Sequence, residues 1–484
     1  MMKKLLIALL AAVLLLPSCQ KEEKKSSGRS DWKPPETEAE EEWTGPTVTV
    51  AYSTKLPSPL PSKLRAFEKE EGIKVIELDY SSYDTSLEPR GGEDKLALDL
   101  SVGLIRPDLI ISPEPAAAEA VLIREKGLYR DLIPYLEADE FLNPESIFGS
   151  VLELYTADDG TLWGLSDRIS AEVLAGNDAV LGEYAGREGW TLDEMLDFAE
   201  ALPPDVTLVP ALCQPTATSV LLGPSGYSIF FDRSAGSCSF DSPAFLRWLR
   251  FLKALPTSWD ELTAKSPYDA ATTEEQYAFA YNGKLALTER SCDMFHQFVE
   301  PPTWFGTDAY TVIGFPDGGG VSFCPVTYWT YMLGRDGENP DAAWKLFSSF
   351  FEPERSADGR MLYGNSVSVL KEVFEEAAAG AQEQIFFITF SGGGGGAAKD
   401  PDNPFTEADL KEPGFLYEFT KEDADRLREM LDSRRVRRIA DRMPSEAEAI
   451  VAEEISAFLA GHSTAETCAA SIQSRVTLWL EEHK

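Results

Sequence analysis

The stretch Asp108-Leu109-Ile110-Ile111, with Pro107 before it and Ser112-Pro113-Glu114 after it, constrains the fold most. A short apolar run bounded by prolines reads as a buried strand. Helical periodicity flanks it, through Leu96, Leu100 and Leu104 on one side and Ala116 to Glu125 on the other, where Gly127 ends the pattern. Upstream, Thr47 to Ala51 is a strand by its β-branched content. Leu60, Leu64 and Phe67 mark a helix stopped by Gly72, and Ile73 to Leu78 is the next strand. Strands alternating with helices predict an α/β chain with a mostly parallel, doubly wound sheet. Ligands of such sheets bind beyond the carboxyl ends of the strands, which places Ser112-Pro113-Glu114 beside a cleft.

After Asp159-Gly160 the pattern changes. Leu162 to Leu165 and Ala171 to Ala175 read as strands leaving a first lobe. Thr191 with Glu194 forms a capping box at the start of a helix. Helices follow around Phe245, Trp248, Leu249 and Leu252, then around Tyr277 and Phe279-Ala280. Strands are expected at Ala286 to Thr288, Thr311 to Phe315, Trp329 to Leu333 and Phe386 to Ile388. The five glycines Gly392 to Gly396 read as a flexible loop, and the residues after them open no helix that would make a phosphate cradle. Two helices close the chain, Ser445 to Leu459 and one capped by Ser463-Thr464-Ala465-Glu466.

The first 18 residues stand apart from this core. Lys3-Lys4 precedes an apolar run, Leu5 to Leu16, which suits a secretory signal and is too short to span a bilayer. It ends in Leu16-Pro17-Ser18-Cys19, which resembles a bacterial lipobox, so Cys19 is expected to carry the lipid. Residues 19–46 hold almost no aliphatic side chains and read as a tether of roughly 25–30 Å. A net charge of −37 repels nucleic acid and anionic lipid headgroups and excludes a nucleic-acid-binding role. Besides Cys19 there are Cys213, Cys238, Cys292, Cys324 and Cys468. Outside the cytoplasm Cys213 with Cys238 is the closest candidate bridge in sequence, and the odd count leaves a thiol over. No Cys-x-x-Cys occurs, so no metal site is expected. Neither Gly-x-Ser-x-Gly nor His-Glu-x-x-His is present and only His296, His462 and His483 are available as bases, which argues against an enzyme.

Several segments, taken in order, resemble the extracellular solute-binding lipoproteins of bacterial ABC importers, the carbohydrate-type group called family 1. They are Phe67 to Val75, Arg106-Pro107-Asp108-Leu109-Ile110, Gly127 to Leu132, Asp159 to Leu165, Trp190 to Leu196, Asn282 to Leu287, Pro340-Asp341-Ala342-Ala343-Trp344 and Gly461 to Val476. The resemblance implies a two-lobed periplasmic-binding-protein fold, type II-like, with three interlobe crossovers and a central cleft. The crossovers would fall near Arg168 to Ala171, Leu287 to Arg290 and Thr327 to Tyr331. One lobe would hold residues 47–167 and 288–328, the other 169–286 and 332–484.

By the same resemblance the chain is an extracytoplasmic, membrane-anchored binding component that captures a sugar or oligosaccharide and hands it to an ABC permease, with no cofactor. The alternative is a surface lipoprotein serving as adhesin or sensor without transport. Sugar clefts place aromatic faces against C–H surfaces and polar groups against hydroxyls. The candidates from strand ends are Tyr52, Ser53, Tyr83 and Glu114, and those from the crossovers are Arg168, Arg290, Tyr328 and Trp329. Arg290 stands in Arg290-Ser291-Cys292-Asp293, where the family has Gly and Trp, and would favour an acidic group on the ligand.

Overall fold

The computed structural model describes residues 43–83, 91–299, 305, 307, 309–316, 323–356, 359, 361, 367–389, 394–400, 402–410, 414–433 and 436–483. The signal segment, Cys19 and the tether up to residue 42 lie outside them.

The chain enters through β1 (Thr47–Tyr52), α1 (Leu60–Glu71), β2 (Lys74–Asp79), α2 (Gly91–Ser101), β3 (Leu109–Ser112) and α3 (Ala118–Glu125). β1 lies between β2 and β3 and runs parallel to both, as the β-α-β alternation requires. All four residues of β3 are buried, as the continuous apolar run of a strand covered on both faces requires. Asp108 is buried too, and its carboxylate locks three elements. It accepts from the amides of Thr49 (2.8 Å) and Asn339 (2.6 Å), the latter at the start of a later helix. Arg130 grips the same corner by donating to the carbonyls of Gly334 (3.2 Å) and Gly337 (2.8 Å). A Cβ on Gly334 would lie 2.0 Å from the Pro107 carbonyl oxygen, so only glycine permits this approach. The two short motifs around Asp108 and Arg130 are therefore one structural joint.

The second region comprises β4 (Ser170–Asn177), α4 (Leu192–Ala201), α5 (Ala217–Leu222), the hairpin β5 (Phe231–Asp232) and β6 (Ser237–Cys238), α6 (Pro243–Ala254), α7 (Thr273–Tyr281), β7 (Leu287–Cys292), α8 (Phe295–Phe298), β8 (Tyr310–Val312) and β9 (Phe323–Val326). Here β4 pairs antiparallel with β7 on one edge and with β8 and β9 on the other. Leu174, Leu287 and Ile313 put one face of this sheet into a separate core with Trp190, Met195, Phe245 and Trp248. The capping box forms, with the Glu194 amide donating to Thr191 Oγ1 (3.2 Å) and the Thr191 amide to Glu194 Oε2 (2.7 Å).

β10 (Thr330–Leu333) then returns to the first sheet antiparallel to β3, and α9 (Pro340–Ser349) packs on β1 and α1. An insertion follows, made of α10 (Lys371–Gln382), β11 (Gln384–Thr389), β12 (Gly394–Ala398), β13 (Gly414–Glu418) and α11 (Lys421–Asp432). α12 (Ser445–Leu459) and α13 (Ala465–Glu482) end the chain in the second core.

Several expectations need correction. Residues 288–328 are expected in the first lobe, yet β7, β8 and β9 pair with β4 in the second sheet. Residues 332–484 are expected in the second lobe, yet α9, α10 and α11 pack into the first core, and only the closing α12 and α13 lie in the second. Leu287 to Arg290 lies inside β7 and crosses nothing. Leu162 to Leu165 makes only isolated bridges, Thr156 with Leu162 and Leu165 with Tyr331. Gly394 to Gly396 belongs to strand β12, while Gly392 and Gly393 lie outside the described residues. Cys213 and Cys238 are not bridged. The first thiol sits 3.4 Å from Thr216 Oγ1 before α5, and the second faces α13 at Thr477 Oγ1 (3.5 Å).

Candidate functional site

The chain leaves the first sheet for the second over residues 166–170 and comes back over 327–329, and the two connections run side by side. Leu165 and Tyr331 exchange both backbone hydrogen bonds (3.1 and 2.7 Å), and Ser170 pairs with Val326. The buried Tyr155 hydroxyl holds the returning segment at Thr327 (2.6 Å) and Thr330 (2.9 Å).

A cavity of about 320 Å³ opens against this double connection. Its walls are the loop Pro57-Ser58-Pro59 with Leu60 and Lys63 of α1, the connection residues Asp167, Arg168, Tyr328, Trp329 and Tyr331, and the segment Phe350 to Glu354 after α9. Asp293, at the end of β7, closes another side with Ser368 and Val373. The loop after β1 is one of the strand-end loops that line clefts in open α/β sheets.

Polar chemistry is concentrated at the connection. Tyr331 donates its hydroxyl to Asp167 Oδ1 (3.0 Å), and Arg168 Nε stands 3.5 Å from the other oxygen. Burial raises the pKa of Asp167, and the nearby Arg168 and the Tyr331 hydroxyl oppose that rise. Lys63 donates to the carbonyls of Ser349 (3.0 Å), Phe350 (2.9 Å) and Glu352 (2.7 Å), so its ammonium caps the C-terminal end of α9. Burial lowers the pKa of Lys63, and Asp167, Glu354 and Glu352 pull it back. Behind Asp293 the acidic character continues along the second sheet. Glu172 is raised by burial and then by Asp293. Glu289 is pushed up to about 7 by burial and then by Glu172. Tyr328 is 41% exposed and Trp329 partly buried, so aromatic surface remains open to a ligand. Ring faces, carboxylates and one guanidinium around a partly open cavity suit a small polar molecule with C–H faces.

Of the sequence-derived candidates, Arg168, Tyr328 and Trp329 stand on this wall. The others do not. Tyr52 is buried and donates to Glu77 Oε2 (2.6 Å), because its position in β1 turns it toward β2. Ser53 is buried and donates to Glu119 Oε1 (2.6 Å). Tyr83 is half-buried, with its amide on the Tyr80 carbonyl (3.0 Å), and Glu114 is exposed on its loop, both away from the cavity. Arg290 points to the opposite face of β7 from Glu289 and Ser291, and Tyr268 lies within its electrostatic reach. Sequence reasoning missed Lys63, Asp167, Tyr331, Asp293, Glu352 and Glu354. Asp167 adjoins a quoted crossover, Tyr331 ends another and Asp293 closes the quoted Arg290-Ser291-Cys292-Asp293, which is a usable signal; Lys63 and the two glutamates carry none.

No protein-family model matches the chain, and no curated protein sequence matches it. Solved structures are similar. The sugar-binding protein MalE from the phytopathogen Xanthomonas citri shares 16% identity and a TM-score of 0.50 over 90% of this chain and 98% of that one. An extracellular solute-binding protein family 1 from Alicyclobacillus acidocaldarius shares 14% identity over 90% of this chain and 100% of its own, with a TM-score of 0.49. The likeness to the Xanthomonas protein is one of architecture, and on it the chain has the MalE-like, two-lobed periplasmic-binding-protein fold.

Proposed function

We propose that this protein captures a small solute, a sugar or oligosaccharide, by closure of its two lobes, and delivers it to an ABC permease from an extracytoplasmic, lipid-anchored position. The observation that carries the reading is the cavity itself. It sits on the double connection between the sheets and takes walls from α1, from the segment after α9 and from the end of β7. A ligand held there gains contacts from elements of both halves only when they are close, so binding favours the closed form. Tyr328, Trp329, Asp167 and Arg168 are the proposed first contacts. The Leu16-Pro17-Ser18-Cys19 motif supports the anchor, and the solved sugar-binding relative in fold supports the class of cargo.

A thermal-shift screen with saccharides and other small solutes tests the reading. One or more sugars at a hundred times their dissociation constant raise stability by about 2.7 kcal/mol, and the melting temperature rises with concentration. A flat response across the panel overturns it.

A further inference from the structure

The charge around the cavity discriminates among solutes, an inference that rests on the binding role proposed above. Four carboxylates border the space, Asp167, Asp293, Glu352 and Glu354, against two cations, Lys63 and Arg168. Both cations are committed. Lys63 donates to three backbone carbonyls, and Arg168 faces Asp167. The carboxylates of Asp293, Glu352 and Glu354 make no hydrogen bond or ion pair with a described residue, while Lys63 lies within electrostatic reach of both glutamates and Glu352 is exposed to solvent. They arrive from different elements, Asp293 from the end of β7 and the glutamates from the segment after α9, so closure brings like charges toward one another. Tyr328 and Trp329 border the same space, and aromatic faces attract cations as well as C–H surfaces.

We propose that the preferred cargo is a saccharide bearing a free primary ammonium, an amino sugar or short amino-oligosaccharide. The ammonium has three donors and a full charge to offer these carboxylates, none of which is hydrogen-bonded, and the sugar ring covers the aromatic wall. A neutral sugar leaves the partly buried Asp293 and Glu354 without a partner as the lobes shut, and an acidic sugar adds repulsion.

Titration calorimetry of the full chain at pH 6 decides the matter, with the glucosamine trimer, the N-acetylglucosamine trimer, maltotriose and spermidine as probes. A charge-assisted hydrogen bond in a closed site is worth roughly tenfold in affinity or more. The glucosamine trimer therefore binds at least about tenfold tighter than its N-acetylated counterpart and weakens with added salt. Asp293→Asn and, separately, Glu354→Gln each collapse that ratio toward one, and two variants on different elements guard against a folding defect in either. Equal or tighter binding of the N-acetylated trimer or maltotriose overturns the ammonium preference and leaves solute capture standing. Spermidine binding tighter than any sugar overturns the saccharide. No heat and no melting shift with any probe overturns solute capture itself, and the inference with it.

Discussion

Single side chains separate the scaffold from the site. Glu119, fully buried in the first turn of α3, is pushed up from its ordinary 4.5 to about 7 by burial, with Glu93 adding to the rise and Ser53 opposing it. Between those values the folded chain keeps a proton the unfolded chain has lost, so this residue's contribution to stability falls as pH rises through that window and is constant above it. Glu119→Gln removes the penalty. Urea unfolding should find the variant more stable than the parent by about 3 kcal/mol at pH 8 and equal to it at pH 4. At the cavity, Tyr328→Ala should cost about tenfold in sugar affinity and leave the ligand-free melting temperature nearly unmoved, because the ring is 41% exposed. Calorimetry beside a melting curve checks both halves. Arg168, Tyr328 and Trp329 fall on the cavity wall because the segments that connect the two sheets there could be placed from sequence order. Tyr52 and Ser53 were not, because a strand end says where the backbone goes and not which way the final side chains turn. Their partners, Glu77 and Glu119, lie 25 and 66 residues away.

Among elements, helices were plain in the sequence where a 3.6-residue period and a cap coincide, as in α1, α4, α6 and α13. The second sheet was harder, since short strands such as β8 and β9 have too few residues for a period to show. β12 was invisible in principle, because glycine has almost no strand preference. Its reason is steric. A Cβ on Gly395 would meet the Phe387 ring at 2.8 Å, and one on Gly396 the Phe386 ring at 3.2 Å, so bare backbone lets rings of β11 fold over the strand. Helix α2 depends on glycine in the same way. A Cβ on Gly92 would stand 2.5 Å from the Ser53 carbonyl oxygen and 2.8 Å from that of Tyr80. Gly92→Ala should therefore cost about 2 kcal/mol. Gly380→Ala, on the exposed face of α10 with nothing within 4 Å, should gain about 0.5–1 kcal/mol from helix propensity. Denaturant midpoints of the two variants against the parent test the pair, and equal shifts would contradict it.

At the scale of the whole molecule, the two-lobed plan was legible from the order of weak motifs, while the allocation of segments to sheets was not. Residues 288–333 visit the second sheet and then the first within one stretch, and nothing in their composition marks the change. A further bridge was also hidden. Beyond α11 the chain carries Ile439 into the first core and Met443 into the second. Arg438 pairs there with Asp158 (2.9 Å), and nearby Arg233 pairs with Glu125 (3.1 Å). The Arg233–Glu125 pair joins the second region to the first, and neither residue borders the cavity. Small-angle scattering of the full chain, with and without a saturating saccharide that calorimetry shows to bind, tests closure most directly. The account predicts a smaller radius of gyration and a shorter maximum dimension with sugar bound. An unchanged scattering curve at full occupancy would contradict it.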